Sequence, residues 1–401
     1  MKRVLLYSPD TVGVGHVRRL FKIANPLARR VPGTALLLVT GGAATRHLER
    51  RPPGLDFVRL PSWKRVGPER FEPRDLPLPP AQFHELRTQI VRQCADSFRP
   101  DLLLVDHDPQ GRGGELLPTL AWLREHLPAC RIVLGLRDIF DDTATVRTVW
   151  AEQGVNAILE RLYDLVLVYG SREVLDVAAA YGLSEQTTRK LCYCGYLGLA
   201  DPVRPREKTR RELGVDGMLV VANAGGGADG FPLLSCFLDA LTLLPTPVRS
   251  LVITGPLMPR GEQDAVARRA AGVPGCQVVE YVPDLPSVFA AADAVVSMYG
   301  YNVATELAAL GVPAIVVPRS SPRQEQLLRA RVFSERGLIE LLPECELAPQ
   351  ALVRLIERRL GTPAPAVPGG LPLDFGGLDR VVDVLVGLLA GESVERAAEN
   401  R

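Results

Sequence analysis

The stretch NAGGGADGF, residues 223–231, sets Gly225, Gly226 and Gly227 directly after an apolar run. Three glycines at the start of a helix bring backbone N–H groups forward, which makes an anion site fit for a pyrophosphate. A flexible turn would read the same way. No Lys-Ser/Thr pair follows, which disfavours a nucleotide-hydrolysing phosphate loop. A second cluster lies in SMYGYNVATELAALGVPAIVVPRSSPRQEQ, residues 297–326. Asn302 is expected to cap the helix that follows, with Gly300 admitting a ligand closely. The first N–H groups of that helix and its dipole favour a phosphate nearby. About one turn in, Glu306 offers a carboxylate that accepts two hydrogen bonds at once, as the vicinal hydroxyls of a ribose require. An ordinary helix-start Glu is the alternative. Past the next apolar run come Arg319, Arg323, Gln324, Glu325 and Gln326. Donors and acceptors gathered there suit a polyol such as a hexose ring, or else a solvated helix start.

The third cluster is SPDTVGVGHVRR, residues 8–19. Gly13 and Gly15 allow a tight turn, and His16 begins a helix. An imidazole at such a turn suits a general base, although a capping or packing histidine has the same sequence. A dinucleotide fingerprint would need a third glycine where Arg18 stands, which argues against NAD or FAD. Two more polar strand ends follow. DHDPQGRGGE offers Asp106, His107, Asp108 and Glu115, and LRDIFDD offers Arg137, Asp138, Asp141 and Asp142. One of these carboxylates would hold the His16 ring in the required tautomer, and Asp106 is the first choice because its strand is expected beside the first one. The DHD triplet alone lacks the remaining ligands of a metal site.

These loops need strands behind them. KRVLLYSPD, TALLLVTGG, DFVRLP, PDLLLVDHD, CRIVLGLRD and DLVLVYGS are apolar runs of strand length, most of them separated by helical segments. After residue 200 the pattern restarts with MLVVANAGGG, RSLVITGP, CQVVEYV, AVVSMYG and PAIVVPR. Near-continuous apolar strands alternating with helices indicate parallel sheets buried on both faces. The expected fold is therefore α/β, with two Rossmann-like doubly wound domains facing across a cleft, and ligands bound beyond the carboxyl ends of the strands. The expected boundaries are 1–200, 201–368 and a 369–401 linker with a last amphipathic helix, LDRVVDVLVGLLAG, for which packing back on the first domain is one option. The chain has 401 residues, 47% of them hydrophobic, and a net charge of +1. That balance gives no global field toward nucleic acid. Seven cysteines occur without a CxxC pair, and Cys192 and Cys194 are expected on opposite faces of a strand. Reduced thiols of a cytoplasmic protein fit better than a zinc or disulfide framework. Neither a secretory leader nor a run long enough to span a membrane is expected.

Together these elements resemble the nucleotide-sugar glycosyltransferases of the GT-B fold. The GYN…TELAALGVPAIVVPR…RQEQLLRA block and the Gly-His first loop are similar to family 28, which includes lipid II GlcNAc transferases. DHDPQGRGGELLPTL, LRDIFDD and ITGPLMP point within it to a bacterial group whose acceptors are mostly undefined. The resemblance implies that residues 1–200 bind the acceptor and residues 201–368 the donor. It further implies that Glu306 holds the donor ribose, that Gly225–Gly227 meet its phosphates, and that Glu325 and Gln326 grip its sugar. Backbone contacts to the base would come from EYVPDL, near Tyr281 and Val282. Two departures stand out. Val14-Gly15-His16 lacks a glycine that the family has beside its histidine, and Glu325 stands where the family has Gln, which bears on the donor sugar.

The implied reaction is an inverting displacement in which His16 or a neighbouring carboxylate deprotonates the acceptor. Main-chain N–H groups, rather than a metal, would stabilise the leaving diphosphate. No cofactor is expected beyond the nucleotide-sugar co-substrate, a UDP-sugar by resemblance. A UDP-sugar 2-epimerase and a non-catalytic nucleotide-sugar-binding protein are the competing readings. The acceptor could be a small molecule, a glycan or a lipid-linked group. PSWKRVGPERF, residues 61–71, mixes Trp63 and Phe71 with Lys64, Arg65 and Arg70. Such a loop suits either contact with anionic lipid at the inner membrane face or an acceptor-site or solvated role.

Overall fold

The computed structural model describes residues 1–9, 15–42, 52–66, 70–361 and 373–399. The chain divides into two compact units, Met1–Ala200 with Asp374–Arg401, and Asp201–Leu373.

The first unit is built on a seven-stranded parallel sheet. Its strands are β1 (Arg3–Ser8), β2 (Ala35–Thr40), β3 (Leu55–Arg59), β6 (Leu102–Asp106), β7 (Arg131–Arg137), β8 (Leu165–Tyr169) and β9 (Leu191–Tyr193). Their order is β3-β2-β1-β6-β7-β8-β9. Leu6 pairs with Leu38 on one side and Leu104 on the other, so the central strand is apolar on both faces. The topology reverses between β1 and β6, which places the ends of these two strands, Ser8 and Asp106, at the switch point. The two short strands β4 (Trp63–Arg65) and β5 (Phe71–Pro73) form a separate antiparallel hairpin. Trp63 is buried and meets the Phe83 ring edge-on at 4.6 Å. Of residues 61–71, for which the sequence leaves lipid contact and an acceptor-site or solvated role both open, Trp63 serves neither, because its indole belongs to the core.

The returning C-terminal stretch is stitched into this unit. Tyr196 N donates to Asp374 O at 2.8 Å, Gly377 N to Tyr196 O at 3.0 Å, and Arg380 Nε to Cys194 O at 2.7 Å. The helix Gly377–Ala390 then packs on the helix Gly15–Arg30, burying Val381, Val382, Val384, Leu385, Leu388 and Leu389. A side chain at Gly377 would lie 2.5 Å from Gly195 O, so glycine is what allows this approach. Cys192 and Cys194 are both buried, with sulfurs 3.9 Å apart. This corrects the expectation of opposite faces: residues two apart on an extended chain share a face.

The second unit repeats the plan with six parallel strands. They are β10 (Leu219–Asn223), β11 (Arg249–Ile253), β12 (Cys276–Val279), β13 (Ala294–Ser297), β14 (Ala314–Val316) and β15 (Glu340–Leu341). Their order is β12-β11-β10-β13-β14-β15, so the switch point falls between β10 and β13. Phe237, Val252, Val296, Ile315, Leu352 and Ile356 are among the residues of its core. No described helix in either unit is long and apolar enough to cross a membrane.

Candidate active site

In the second unit the carboxyl ends of β10 and β13 are joined side chain to side chain. Asn223 Nδ2 donates to Ser297 Oγ at 3.0 Å, and Ser297 Oγ donates to Asn223 O at 3.1 Å. Both residues are buried. From this junction the glycine loop leaves on one side and the Met298–Gly300 turn on the other. Gly225 has φ +62° with nothing within 4 Å of where a Cβ would stand, so the loop is open there. Gly226 meets only Leu257 Cδ1, at 3.6 Å. Gly227 differs. Its φ is +98°, and a Cβ would lie 2.4 Å from Thr254 O, so this glycine serves packing against the next loop. Gly255 returns that contact, and Leu257 N donates to Gly226 O at 2.9 Å.

The helix Tyr301–Leu310 begins at Gly300, which is its N-cap with φ −62° and ψ 154°. Asn302 lies inside the helix, and the N-cap position is held by a glycine, which has no side chain to cap with. The expected Asn302 cap is thus corrected, because the chain enters helical geometry before Asn302 is reached. The Cβ position of Gly300 faces open space. Glu306 stands five residues into the helix and is 2% exposed.

Two side-chain ties lace the remaining loops to this junction. Gln326 Oε1 accepts from Tyr299 N at 3.0 Å, fixing the helix Glu325–Glu335 against the turn before Gly300. Arg319 donates from Nη1 to Asp229 Oδ2 at 2.9 Å and from Nη2 to Glu325 Oε1 at 2.7 Å. Asp229 belongs to the glycine loop and Glu325 opens the next helix, so one guanidinium joins both. Burial works against the Arg319 charge, but the two carboxylates outweigh it and raise its pKa above the ordinary arginine value. Tyr281 and Val282 follow β12 and are half-buried, and Glu280 O accepts from Gly255 N at 3.0 Å.

In the first unit, His16 and Arg19 lie three residues apart on the helix Gly15–Arg30 and so share a face. Both point at Asp106. His16 Nδ1 is 2.6 Å from Asp106 Oδ2. Arg19 bonds Oδ1 through Nε at 2.8 Å and Oδ2 through Nη2 at 2.5 Å. Burial alone would raise the Asp106 pKa, but the Arg19 charge and the His16 and Arg19 hydrogen bonds prevail and hold it at about 2. An ionised oxygen 2.6 Å from Nδ1 requires a proton on that nitrogen, so Nε2 is the basic one. Arg19 Nη2 is also 2.9 Å from Nδ1, but as a donor facing a protonated nitrogen it bonds the carboxylate instead.

The other strand-end residues go elsewhere. His107 has φ 72°, stacks on Phe140 at 4.2 Å, and lies 4.9 Å from the His16 ring. Arg137 Nη2 approaches its Nε2 at 3.2 Å. Asp108 accepts from Gln110 N at 3.2 Å in a local turn. Glu115 is buried against Arg87, 2.6 Å from its Nε, and accepts from Tyr7 at 2.6 Å. Asp142 caps the helix Thr143–Glu152 through Thr145 N. Asp106, His107 and Asp108 therefore do not converge, and among the described residues no three His, Cys, Asp or Glu side chains form a metal cage. Gly15 opens the His16 helix, whereas Gly13 lies outside the described residues. Arg19 escaped the sequence reading. Its one signal is the His-x-x-Arg spacing, which has meaning only once Asp106 is opposite.

Residues 223–363, which contain every second-unit feature above, match the family model described as glycosyltransferase family 28 C-terminal domain. Among curated relatives, the UDP-N-acetylglucosamine–N-acetylmuramyl-(pentapeptide) pyrophosphoryl-undecaprenol N-acetylglucosamine transferase of Acidothermus cellulolyticus is 30% identical over 158 residues, 39% of this chain and 43% of that one. The enzyme of the same name from Methylobacterium sp. (strain 4-46) is 29% identical over 202 residues, 49% of this chain and 52% of that one. The chain thus spans about half the length of the curated relatives it matches. Among solved structures, Acinetobacter baumannii MurG matches with a TM-score of 0.55 at 17% identity, covering 96% of this chain and 99% of that one. UDP-GlcNAc 2-epimerase from Neisseria meningitidis bound to UDP-GlcNAc matches with a TM-score of 0.59 at 12% identity, covering 96% and 100%. Likeness at such identities speaks to the fold alone. Residues 223–363 thus match a family 28 C-terminal domain, and the likeness to solved structures gives the chain a GT-B fold of Rossmann-like domains.

Proposed function

We propose that this protein is an inverting glycosyltransferase that moves a hexose-type sugar from a UDP-sugar to an acceptor. The observation that carries the proposal is the switch point of the second unit. There Gly225 and Gly300 leave open space in the loops that follow β10 and β13, and Glu306 is buried in the helix that starts after Gly300, all inside the segment that matches family 28. Main-chain N–H groups of the glycine loop and of the Tyr301–Leu310 helix start would hold the diphosphate, with Asn302 in the first helical turn. Glu306 would hold the ribose, Glu325 and Gln326 the sugar, and Tyr281 and Val282 the base.

His16, with Nε2 basic, would accept the acceptor's proton as its oxygen attacks the anomeric carbon. Asp106 would stabilise the imidazolium that results. The bond from the anomeric carbon to the diphosphate breaks, and the diphosphate leaves stabilised by N–H groups rather than by a metal. The names of the relatives describe transfer from a UDP-sugar to a pyrophosphoryl-undecaprenol carrier. A lipid-linked acceptor, met from the cytoplasmic side by peripheral contact, is accordingly the first class to test, ahead of glycans and small molecules.

A second reading has one observation behind it: the epimerase structure scores higher than MurG in fold likeness, 0.59 against 0.55. NMR of UDP-GlcNAc with the protein and no acceptor separates the two. A C2-inverted UDP-sugar supports the epimerase. Acceptor-dependent release of UDP supports the transferase.

A further inference from the structure

We propose that Arg319 is a positioning residue for the donor sugar, acting through Glu325. The proposal rests on the function above and adds a residue to it. Glu325 is 4% exposed, and a carboxylate so buried requires a partner to stay ionised. Arg319 is that partner, at 2.7 Å, and its second arm runs to Asp229 at 2.9 Å. The planar fork of a guanidinium is suited to holding two carboxylates in fixed directions. The loop that bears it is anchored at its far side, where Ser320 N and Oγ donate to Glu344 Oε2 at 3.1 and 2.8 Å. Arg319 therefore sits on a fixed segment, and one oxygen of Glu325 is fastened while the side chain's direction is set. Beside it, the side-chain oxygen Oε1 of Gln326 accepts from Tyr299 N. The subsite presents a charged acceptor held by arginine where a neutral amide would need no such clamp. Charge and clamp are coupled: Arg319 matters because residue 325 is an acid.

The test is calorimetric titration of UDP and of UDP-GlcNAc into the full chain, with a thermal melt of each variant. The ratio of the two dissociation constants isolates the sugar's share of binding. In Arg319→Met the ratio is expected to rise about ten-fold, with UDP affinity held within about three-fold. Glu325→Gln alone is expected to raise the ratio as well, and Arg319→Met/Glu325→Gln to raise it no further than Glu325→Gln does, within about three-fold. Should Arg319→Met fail to fold, Arg319→Lys keeps the charge without the fork and is expected to raise the ratio about five-fold. An unchanged ratio overturns the proposal. Equal losses for UDP and UDP-GlcNAc do the same, since they mark a merely structural role. A double variant in which the two single losses multiply overturns action through Glu325. A parent that binds neither ligand overturns the proposed function itself, and this inference with it.

Discussion

His16 Nδ1 lies 2.6 Å from Asp106 Oδ2, and Arg19 holds the same carboxylate from beneath with two hydrogen bonds. The His16 side chain is 23% exposed and Asp106 is fully buried, so only the ring can meet an acceptor. Asp106→Asn retains the shape but removes the charge that selects the tautomer. With an acceptor in hand, turnover is expected to fall by about 10²–10⁴ while donor affinity is unchanged. Steady-state kinetics paired with UDP titration check this. A variant that turns over like the parent would refute the assignment of His16 as base.

The same carboxylate has a pH signature. Its folded pKa, about 2, lies below the ordinary value of 3.8. A depressed acid contributes stability above its unfolded pKa and loses it as pH falls through the folded one. Asp106 should thus contribute about 2 kcal/mol at neutral pH, lost between about pH 4 and pH 2. Melting the parent and Asp106→Asn across that range should show the gap between them narrowing with acid. A gap that does not change with pH contradicts the ionised pair.

The glycines separate fold from ligand binding. Gly227→Ala forces a Cβ to 2.4 Å from Thr254 O at φ +98° and should destabilise by more than about 2 kcal/mol. Gly300→Ala adds its methyl to open space at φ −62°, so the melt should move little. UDP affinity should nonetheless drop about ten-fold if the diphosphate approaches there. A Gly300→Ala protein that binds UDP like the parent would remove this turn from the site.

Trp63 is a core residue, packed edge-on against Phe83. Trp63→Ala should therefore cost about 3–5 kcal/mol of stability by cavity formation. A melt unchanged by the substitution, with binding to anionic vesicles reduced, would return the indole to the lipid role that its sequence neighbours suggested.

What the sequence makes legible follows its periods. Runs such as LLLVD and LVVAN read as strands buried on both faces, because they are short, rich in Val and Leu, lack polar alternation and are bounded by turn residues. Gly225 and Gly300 stand out in the sequence because glycines after such strands let the backbone turn or come close to a neighbour. Arg19 is hidden for the opposite reason, its partner Asp106 lying 87 residues away, and the sequence shows Arg319 near Glu325 but not its second partner Asp229, 90 residues away. Asn302 misleads because asparagine favours caps, yet the extended geometry of Gly300 starts the helix ahead of it. Trp63 beside Lys64 reads as an interfacial loop until the hairpin turns the indole inward.

Glu306, the sixth residue of the helix that starts after the open Gly300, is the residue on which the proposed donor assignment turns. Calorimetric titration of UDP into the parent and into Glu306→Gln tests it directly. Saturable binding by the parent, weakened about ten-fold or more in the variant with an unaltered melt, is the expected result. Equal UDP affinity in the two proteins, or no binding by either, would contradict the account.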